Sequence, residues 1–300
     1  MKRIVSLFFV FATLSLQAQS VTLEFKPVKG VEYPVSMEVS QATTIRVPMM
    51  GEMTTQSDQI ISAVVTLERE VEQGYLVEAR LTRMTITASG QGQSQVFDSE
   101  GEDIMGQAIK TMMGKPLLMI ISRKGEIVEQ MPVEDTFFTQ ADETLATQYA
   151  RRRRETAMQQ IKSMFSQNAI KSVVQAGLTK FPDRALAIPS VWTDEENSEE
   201  LGAIITVQQR LTELSGNRAT LTAKSVIMPD PVAKKSDAVQ RMERISGNGE
   251  ATTVVDAQSG WVIESSGSQS LSGDLVVEQG GQSQTMAVTM EIKTKITSAR

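Results

Sequence analysis

Two acidic clusters contain the residues of this chain that could most readily carry out chemistry. Their members are Asp98, Glu100, Glu102 and Asp103 in the first, and Asp194, Glu195, Glu196, Glu199 and Glu200 in the second. Paired carboxylates can serve as the acid and base of a glycosidase. A calcium loop requires a defined spacing of oxygen ligands around a glycine, whereas Gly101 stands at the wrong offset. We interpret both clusters as solvated loops, the first leading into a helix, with the hydrolase and the calcium site as alternatives.

The absence of two residue types removes several other chemistries. The 300-residue chain contains no histidine and no cysteine. A Ser–His–Asp triad, a cysteine nucleophile, a histidine-based zinc site and haem ligation by histidine or cysteine are therefore excluded, as are disulfides. Carboxylate, lysine, tyrosine and Ser–Lys chemistry stay open. The sequence thus assigns no catalytic, cofactor-binding or metal-binding residue, and we expect a protein that is not an enzyme and needs no cofactor.

A run of four arginines, Arg151–Arg154, is the strongest basic feature of a chain whose net charge is −6. Successive residues of an α-helix are about 100° apart, so four of them point around most of the helix. They cannot all face one phosphate backbone, and net acidity opposes non-specific nucleic-acid binding. We expect a solvated stretch whose stems pack on the protein, with an anionic surface as the alternative and no nucleic-acid partner.

The N-terminus has the pattern of a secretory signal peptide. Lys2 and Arg3 precede an apolar run from Ile4 to Leu16, which is too short to span a bilayer comfortably. We predict cleavage after Ala18 and an exported protein, periplasmic, extracellular or associated with the outer membrane. An uncut membrane anchor is the alternative. No further integral membrane span is expected.

Two β-rich parts flank a helical one in the predicted organisation. Residues 19–138 form a first β-rich half with a short helix at 103–113, residues 139–180 a central helical segment, and residues 181–300 a second β-rich half. Apolar residues alternate from Val31 to Val39, which is typical of a strand with one buried face. Pro34 cannot donate to a ladder, so we predict that this strand lies at a sheet edge.

Glycine-containing turns divide the two halves into hairpins. We predict hairpins at 61–81, 117–128, 203–227 and 252–263. Residues 90–95 are predicted as a loop or weak strand, and 247–249 as a loop that is no phosphate cradle. The stretch Lys234–Ile245 is equally compatible with helix and strand. Thr139 or Asp142 is expected to cap the central helix.

Two pairs of hairpins recur in the same order about 140 residues apart, which indicates a structural duplication. Neither half can close a core alone if its sheet is open, so the central helices are the expected partner. The predicted fold class is α+β, with curved and predominantly antiparallel sheets from two similar halves packed on the central helical segment. The 17 methionines are expected to fill irregular parts of this core.

Several motifs resemble those of a known group of proteins. They are the GKPLLMIISRKGEIVEQM hairpin, the FPDRALAIPSVW passage and the VVDAQSGWVIES hairpin. On these residues the chain resembles a family of secreted bacterial envelope proteins known only as a domain of unknown function. The family usually has Gly-Asp-Ser-Trp where this chain has Pro189-Ser190-Val191-Trp192, and Trp192 alone matches cleanly. The resemblance implies location and fold but no activity.

The functional prediction follows from the export signal, the missing catalytic residues and the methionine-rich β pattern. We expect a non-enzymatic envelope protein that acts as a binding or interaction module. One alternative is a periplasmic carrier of a lipid or other apolar ligand. A second is a partner protein that binds through an exposed sheet edge, and a third is the carboxylate-dependent hydrolase.

The predicted signal cleavage can be measured directly. When the full-length chain is expressed in a bacterium with an envelope, the mature protein should begin at Gln19, as read by N-terminal sequencing and intact mass. Replacing Leu16, three residues before the cut, by alanine should make processing more complete, because small residues are preferred there. Recovery of chains that begin at Met1 and stay in the inner membrane would instead support the uncut anchor.

Overall fold

The chain folds around one long antiparallel β-sheet with helices on one side. The computed structural model describes residues 20–47, 49, 51–198, 201–232, 240–279 and 282–298, so the predicted signal peptide lies outside the described residues. Twelve strands form the main sheet, and a two-stranded ribbon lies beside it. The α+β class and the antiparallel pairing are confirmed, but the sheet is continuous across both halves.

The strand bounds are as follows: β1 Ser20–Val21, β2 Glu32–Val47, β3 Gly51–Val71, β4 Gly74–Gly90, β5 Gln93–Asp98, β6 Leu117–Ile121, β7 Ile127–Gln130, β8 Leu186–Ala187, β9 Ser190–Ser198, β10 Ala203–Ser215, β11 Arg218–Pro229, β12 Gln240–Asp256, β13 Val262–Gln279 and β14 Gln282–Thr297. Across the main sheet the order is β7-β6-β4-β3-β2-β14-β13-β12-β11-β10-β9, with β5 paired to β4. The ribbon is β1 with β8.

Four α-helices are described: α1 Ile104–Lys110, α2 Thr139–Ala146, α3 Arg151–Met164 and α4 Gln167–Ala176. Three of them, α2, α3 and α4, lie within residues 139–180. Ser166 caps α4 by accepting a hydrogen bond from the Ala169 amide at 3.3 Å. The predicted cap at Thr139 or Asp142 is wrong, because a 3-10 helix at Asp135–Phe138 leads directly into α2. Among the described helices, none is both long and apolar enough to cross a membrane.

The predicted edge position of the strand around Pro34 is wrong. β2 lies in the middle of the sheet, between β3 and β14. Pairing with β14 extends only as far as Ser36, opposite Thr297. Pro34 stands beyond that end, where β14 has no amide or carbonyl to offer it. Its missing N–H therefore removes no ladder bond, and the sheet tolerates proline in a central strand.

The hairpins predicted at 61–81, 117–128, 203–227 and 252–263 are all present. Residues 90–95 belong to the β4–β5 hairpin. The loop predicted at 247–249 is wrong, since these residues lie inside β12. A Cβ on Gly247 would overlap the carbonyl oxygen of Ser270, so these glycines allow close strand approach instead of forming a turn. The first half of the ambiguous stretch Lys234–Ile245, residues 234–239, lies outside the described residues; Gln240–Ile245 is strand.

Apolar side chains on one face of the sheet form the core. In the first half, α4 lies against β2, β3 and β7, and residues such as Ile161, Ile170 and Val174 bury the apolar positions of those strands. In the second half the β1–β8 ribbon and Phe181 cover Leu211 and Leu221. The helices therefore cover mainly one half of the sheet. The duplication itself stays a prediction.

Trp261 connects the helices to the sheet. Its Nε1 donates to the carbonyl oxygen of Pro34 at 3.1 Å and to Oγ of Ser298 at 2.9 Å. Its ring centroid lies 5.4 Å from that of Tyr33. On its other side the indole contacts Gly177, the residue that ends α4, so closely that any Cβ there would overlap the ring.

The contact between Gly177 and Trp261 generates a prediction about stability. Gly177→Ala should lower the free energy of unfolding by about 1–3 kcal/mol, because the added methyl overpacks a rigid site. The measurement is urea unfolding followed by circular dichroism. In a Trp261→Phe background, where the overlapping ring atoms are missing, the same substitution should cost clearly less. An equal cost in both backgrounds would show that the indole is not the obstacle.

Candidate functional site

An open furrow of about 360 Å³ lies on the core-facing side of the sheet, in the second half. Strands β10 to β14 provide its lining, and no helix contributes a lining residue. This volume is within the range of small-molecule sites. The furrow lies beside the part of the sheet that the helices cover, not between the sheet and the central helices.

Small side chains form the floor of the furrow. Ala223 lies opposite Ala251, Ala251 opposite Gly267, and Gly267 opposite Thr294. Because side chains alternate between the two faces of a strand, residues paired in this way share one face. Gly267 has little room to be anything larger, since a Cβ there would lie 3.0 Å from the Glu250 carbonyl oxygen. The floor is therefore a low row that crosses four strands.

Larger apolar side chains form the walls. On one side the neighbouring row contains Val207 and Ile292, and Ile205 lies beyond Val207 on β10. On the other side Ile296 and the buried pair Leu211 and Leu221 rise above the floor. Ile205, Val207, Ile292 and Ile296 are only partly buried. The arrangement offers an elongated molecule apolar contact along a trough.

The opposite face of the same strands has a different character. Lys224, Glu250, Ser268 and Lys293 lie side by side there, and all four are exposed. The two faces of one set of strands thus differ sharply in polarity. The apolar face of the second half is the one that lacks a helical cover.

Buried polar groups mark the β9 margin of the furrow. Trp192 lies opposite Gln209, which lies opposite the floor residue Ala223. The side chains of Trp192 and Gln209 are 8% and 9% exposed. Two residues further along β9, Asp194 lies opposite the wall residue Val207. These groups place buried hydrogen-bonding capacity at one end of the trough, whose lining also includes Ser225, Ser265, Gln269 and Thr294.

Lys180 is a cation close to Asp194 at this margin. Its Nζ lies 2.7 Å from Oε1 of Glu126 and 3.7 Å from Oδ1 of Asp194. The hydrogen bond to Glu126 raises the pKa of Lys180, and burial, which acts in the opposite direction, does not cancel that effect. The charges of Glu126, Asp194 and Glu196 raise this pKa further.

The structure places the described members of the two predicted acidic clusters in different elements, the first around β5 and the start of α1 and the second in β9. In the first cluster Asp103 caps α1 by accepting from the amides of Met105 and Gly106, and Asp98 accepts from Thr85 and the Glu100 amide. The second cluster was expected in a loop, but its residues 194–196 lie within β9. They pair with residues 205–207 of β10, and Glu195, for example, lies opposite Thr206. Glu199 and Glu200 lie outside the described residues.

No group of three or more acidic side chains in the described part of the chain is arranged to hold a metal ion.

The arginine run behaves as a surface feature of α3. Arg151 pairs with Glu155 at 2.9 Å and Arg154 with Asp142 at 3.2 Å, while the guanidinium of Arg153 stacks over Tyr149 at 4.1 Å from the ring centroid. The run is therefore partly paired locally, as expected from the adjacent glutamate.

Sequence reasoning did not identify the furrow residues. Ala223, Ala251 and Gly267 lie on the core-facing side of their strands, and the alternation that indicates this side is visible in the sequence. Which strands are neighbours, and in what register, is not visible. Only the register brings these three small residues into one row.

The fold and the furrow define the class of this protein as an antiparallel sheet with an open apolar face and no recognisable reactive centre in its described residues. A family model, DUF6263, a family of unknown function, matches residues 72–262 of the chain. The chain belongs to this family, which agrees with the resemblance found in its motifs. No curated protein matches the sequence.

Three solved structures show distant likeness. A structure of lipid–protein interactions in lipovitellin has a TM-score of 0.48 at 12% identity. The matched region covers 92% of this chain but only 26% of the lipovitellin chain. DynF from the dynemicin biosynthesis pathway of Micromonospora chersina scores 0.22 at 8% identity, covering 94% and 86%. OccK7 (OpdD) of Pseudomonas aeruginosa scores 0.26 at 6% identity, covering 89% and 99%. Scores and identities this low carry no argument about function.

The position of Lys180 generates a prediction about pH. Because its pKa is raised in the folded state, its pairing stabilises the fold fully below the unfolded-state pKa of about 10.4 and is lost as pH rises through the folded-state value. Relative to Lys180→Met, the wild type should therefore lose up to about 1 kcal/mol in alkaline solution, since the pair is partly exposed. Urea titrations at neutral and alkaline pH measure this difference, and parallel pH profiles would contradict it.

Proposed function

We propose that this protein is an exported, non-enzymatic binding protein that holds an elongated apolar ligand, such as the acyl chain of a lipid, in the furrow. The observation that carries the proposal is the open trough itself, with a floor of Ala223, Ala251 and Gly267. Export rests on the N-terminal pattern of Lys2, Arg3 and the apolar run that follows. The envelope is where such a carrier would act.

The burial pattern supports an apolar ligand over a polar one. Ile205, Val207, Ile292 and Ile296 present partly exposed side chains toward a common trough. Covering apolar surface contributes about 25 cal/mol for each Å² removed from water. A ligand that lies along the trough would gain this contribution from both walls, whereas a strongly hydrated ligand would lose its water without compensation.

The geometry also favours an elongated ligand. The floor crosses β11, β12, β13 and β14 through residues that are directly opposite one another. Neighbouring strands are about 4.8 Å apart, so a floor across four strands extends for roughly 14 Å. A flexible chain can follow such a path, while a compact molecule would contact only part of it.

Filling the floor tests the proposal. Ala251→Leu should place three additional carbons in the trough and reduce binding of an apolar fluorescent probe, or of a fatty acyl ligand, at least tenfold. The matched control is Thr252→Leu, which adds an apolar side chain at the adjacent position on the opposite, exposed face. The control should bind as the wild type does, and both variants should retain the circular dichroism spectrum of the wild type.

A second measurement needs no variant. Protein purified from an envelope fraction should release co-purified lipid on organic extraction, as detected by mass spectrometry. If the purified protein yields no lipid and binds no apolar probe, the proposed function is wrong. If Ala251→Leu and Thr252→Leu weaken binding equally, the ligand does not occupy the furrow.

A further inference from the structure

Two buried polar atoms on β9 have no hydrogen-bond partner among the described residues. They are Nε1 of Trp192, whose side chain is 8% exposed, and Oδ2 of Asp194. Nearly all buried polar groups of folded proteins are hydrogen-bonded, and exceptions call for a physical explanation. One of these atoms is a donor that cannot accept, and the other, on an ionised carboxylate, is an acceptor that cannot donate.

Both residues border the furrow. Trp192 belongs to the row that continues through Gln209 to Ala223 on the floor, and Asp194 lies opposite Val207 on the wall. The two residues are separated by one position of an extended strand, so they share a face and their Cα atoms lie about 7 Å apart. The unpartnered donor and acceptor therefore belong to neighbouring residues on one face of β9, beside the strand that carries the wall residue Val207.

The charges around this pair restrict what it can bind. Glu196 follows on the same face of β9, and the nearby cation Lys180 is already held by Glu126 at 2.7 Å. An anionic group would meet the carboxylates of Asp194 and Glu196 and be repelled. An ammonium group could donate to Asp194 but could accept nothing from the indole. A hydroxyl or an amide can do both, because it accepts at oxygen and donates through O–H or N–H.

We propose that the β9 margin is a head-group subsite, and that the ligand is an uncharged amphiphile whose hydroxyl or amide group accepts from Nε1 of Trp192 and donates to Oδ2 of Asp194. This inference rests on the proposed function, because the apolar part of the ligand lies in the furrow. It specifies the chemical class of ligand and its direction along the trough. The head lies at β9 and the chain runs toward β14.

The indole N–H signals provide a direct test. The chain has two tryptophans, so ¹⁵N-labelled protein should give two indole resonances, assigned with Trp192→Phe. Decanol, decanoate and decylammonium each carry a ten-carbon chain and differ in the head group. Decanol is titrated below its solubility limit, and the two charged amphiphiles are titrated below the concentrations at which they form micelles. Decanol should shift the Trp192 indole proton downfield and leave that of Trp261 in place, because Trp261 is already bonded to Pro34 and Ser298.

The affinities of the three amphiphiles provide a second test. Decanol should bind about tenfold more tightly than decanoate or decylammonium, and Trp192→Phe should reduce decanol affinity about three- to tenfold, as expected for one hydrogen bond. Asp194→Asn keeps an acceptor but removes the charge. It should therefore increase the affinity for decanoate and reduce the difference in affinity between decanol and decanoate. This second variant keeps the test valid if Trp192→Phe does not fold.

The outcomes separate this inference from the function on which it rests. If all three amphiphiles bind equally and the Trp192 indole does not move, the head-group subsite is refuted while the apolar site stands. The same holds if that indole is already shifted downfield without ligand and stays there, since a water would then occupy the position. If none of the three binds, the proposed function fails.

Discussion

The pairing of β2 with β14 is the interaction on which the rest of the structure depends. It runs from Ser36 opposite Thr297 to Arg46 opposite Ala287, and it joins the first long strand of the chain to the last. Without it the two β-rich halves would be separate sheets with exposed edges. Its register also decides which side chains face the core: a slip by one residue would turn Lys293 and Lys295 toward the furrow in place of Thr294.

The furrow follows from this continuity together with the uneven distribution of the helices. The central helices pack on the first half, and in the second half the β1–β8 ribbon with Phe181 covers only one end of the apolar face. Between that end and the buried cluster of Ile227, Ile245 and Leu271, the face has small residues where a filled core would have large ones. A core normally closes such gaps, because voids forfeit dispersion contacts. The apolar face is therefore left open in the middle of the sheet, where the ligand of the proposed function would cover it.

Local features of the fold could be predicted from the sequence, and non-local ones could not. Alternation and glycine turns identified the hairpins because both act within a few residues. Pro34 and Gly247 were misinterpreted because their meaning depends on a distant strand: β14 ends before Pro34, and β13 passes close to Gly247. The furrow shares this dependence. Its floor combines residues 223, 251, 267 and 294, and no local pattern indicates that they meet.

The polar margin at β9 is informative because a simpler arrangement was available. Lys180 could neutralise Asp194 closely, yet its Nζ lies 2.7 Å from Glu126 and 3.7 Å from Oδ1 of Asp194, and Oδ2 has no partner among the described residues. Leaving a buried carboxylate oxygen unbonded opposes folding. In the proposed function, hydrogen-bond donors and acceptors of this kind would contribute selectivity for the head group. Apolar contact along the furrow would supply affinity, and the β9 margin would decide which amphiphiles are accepted.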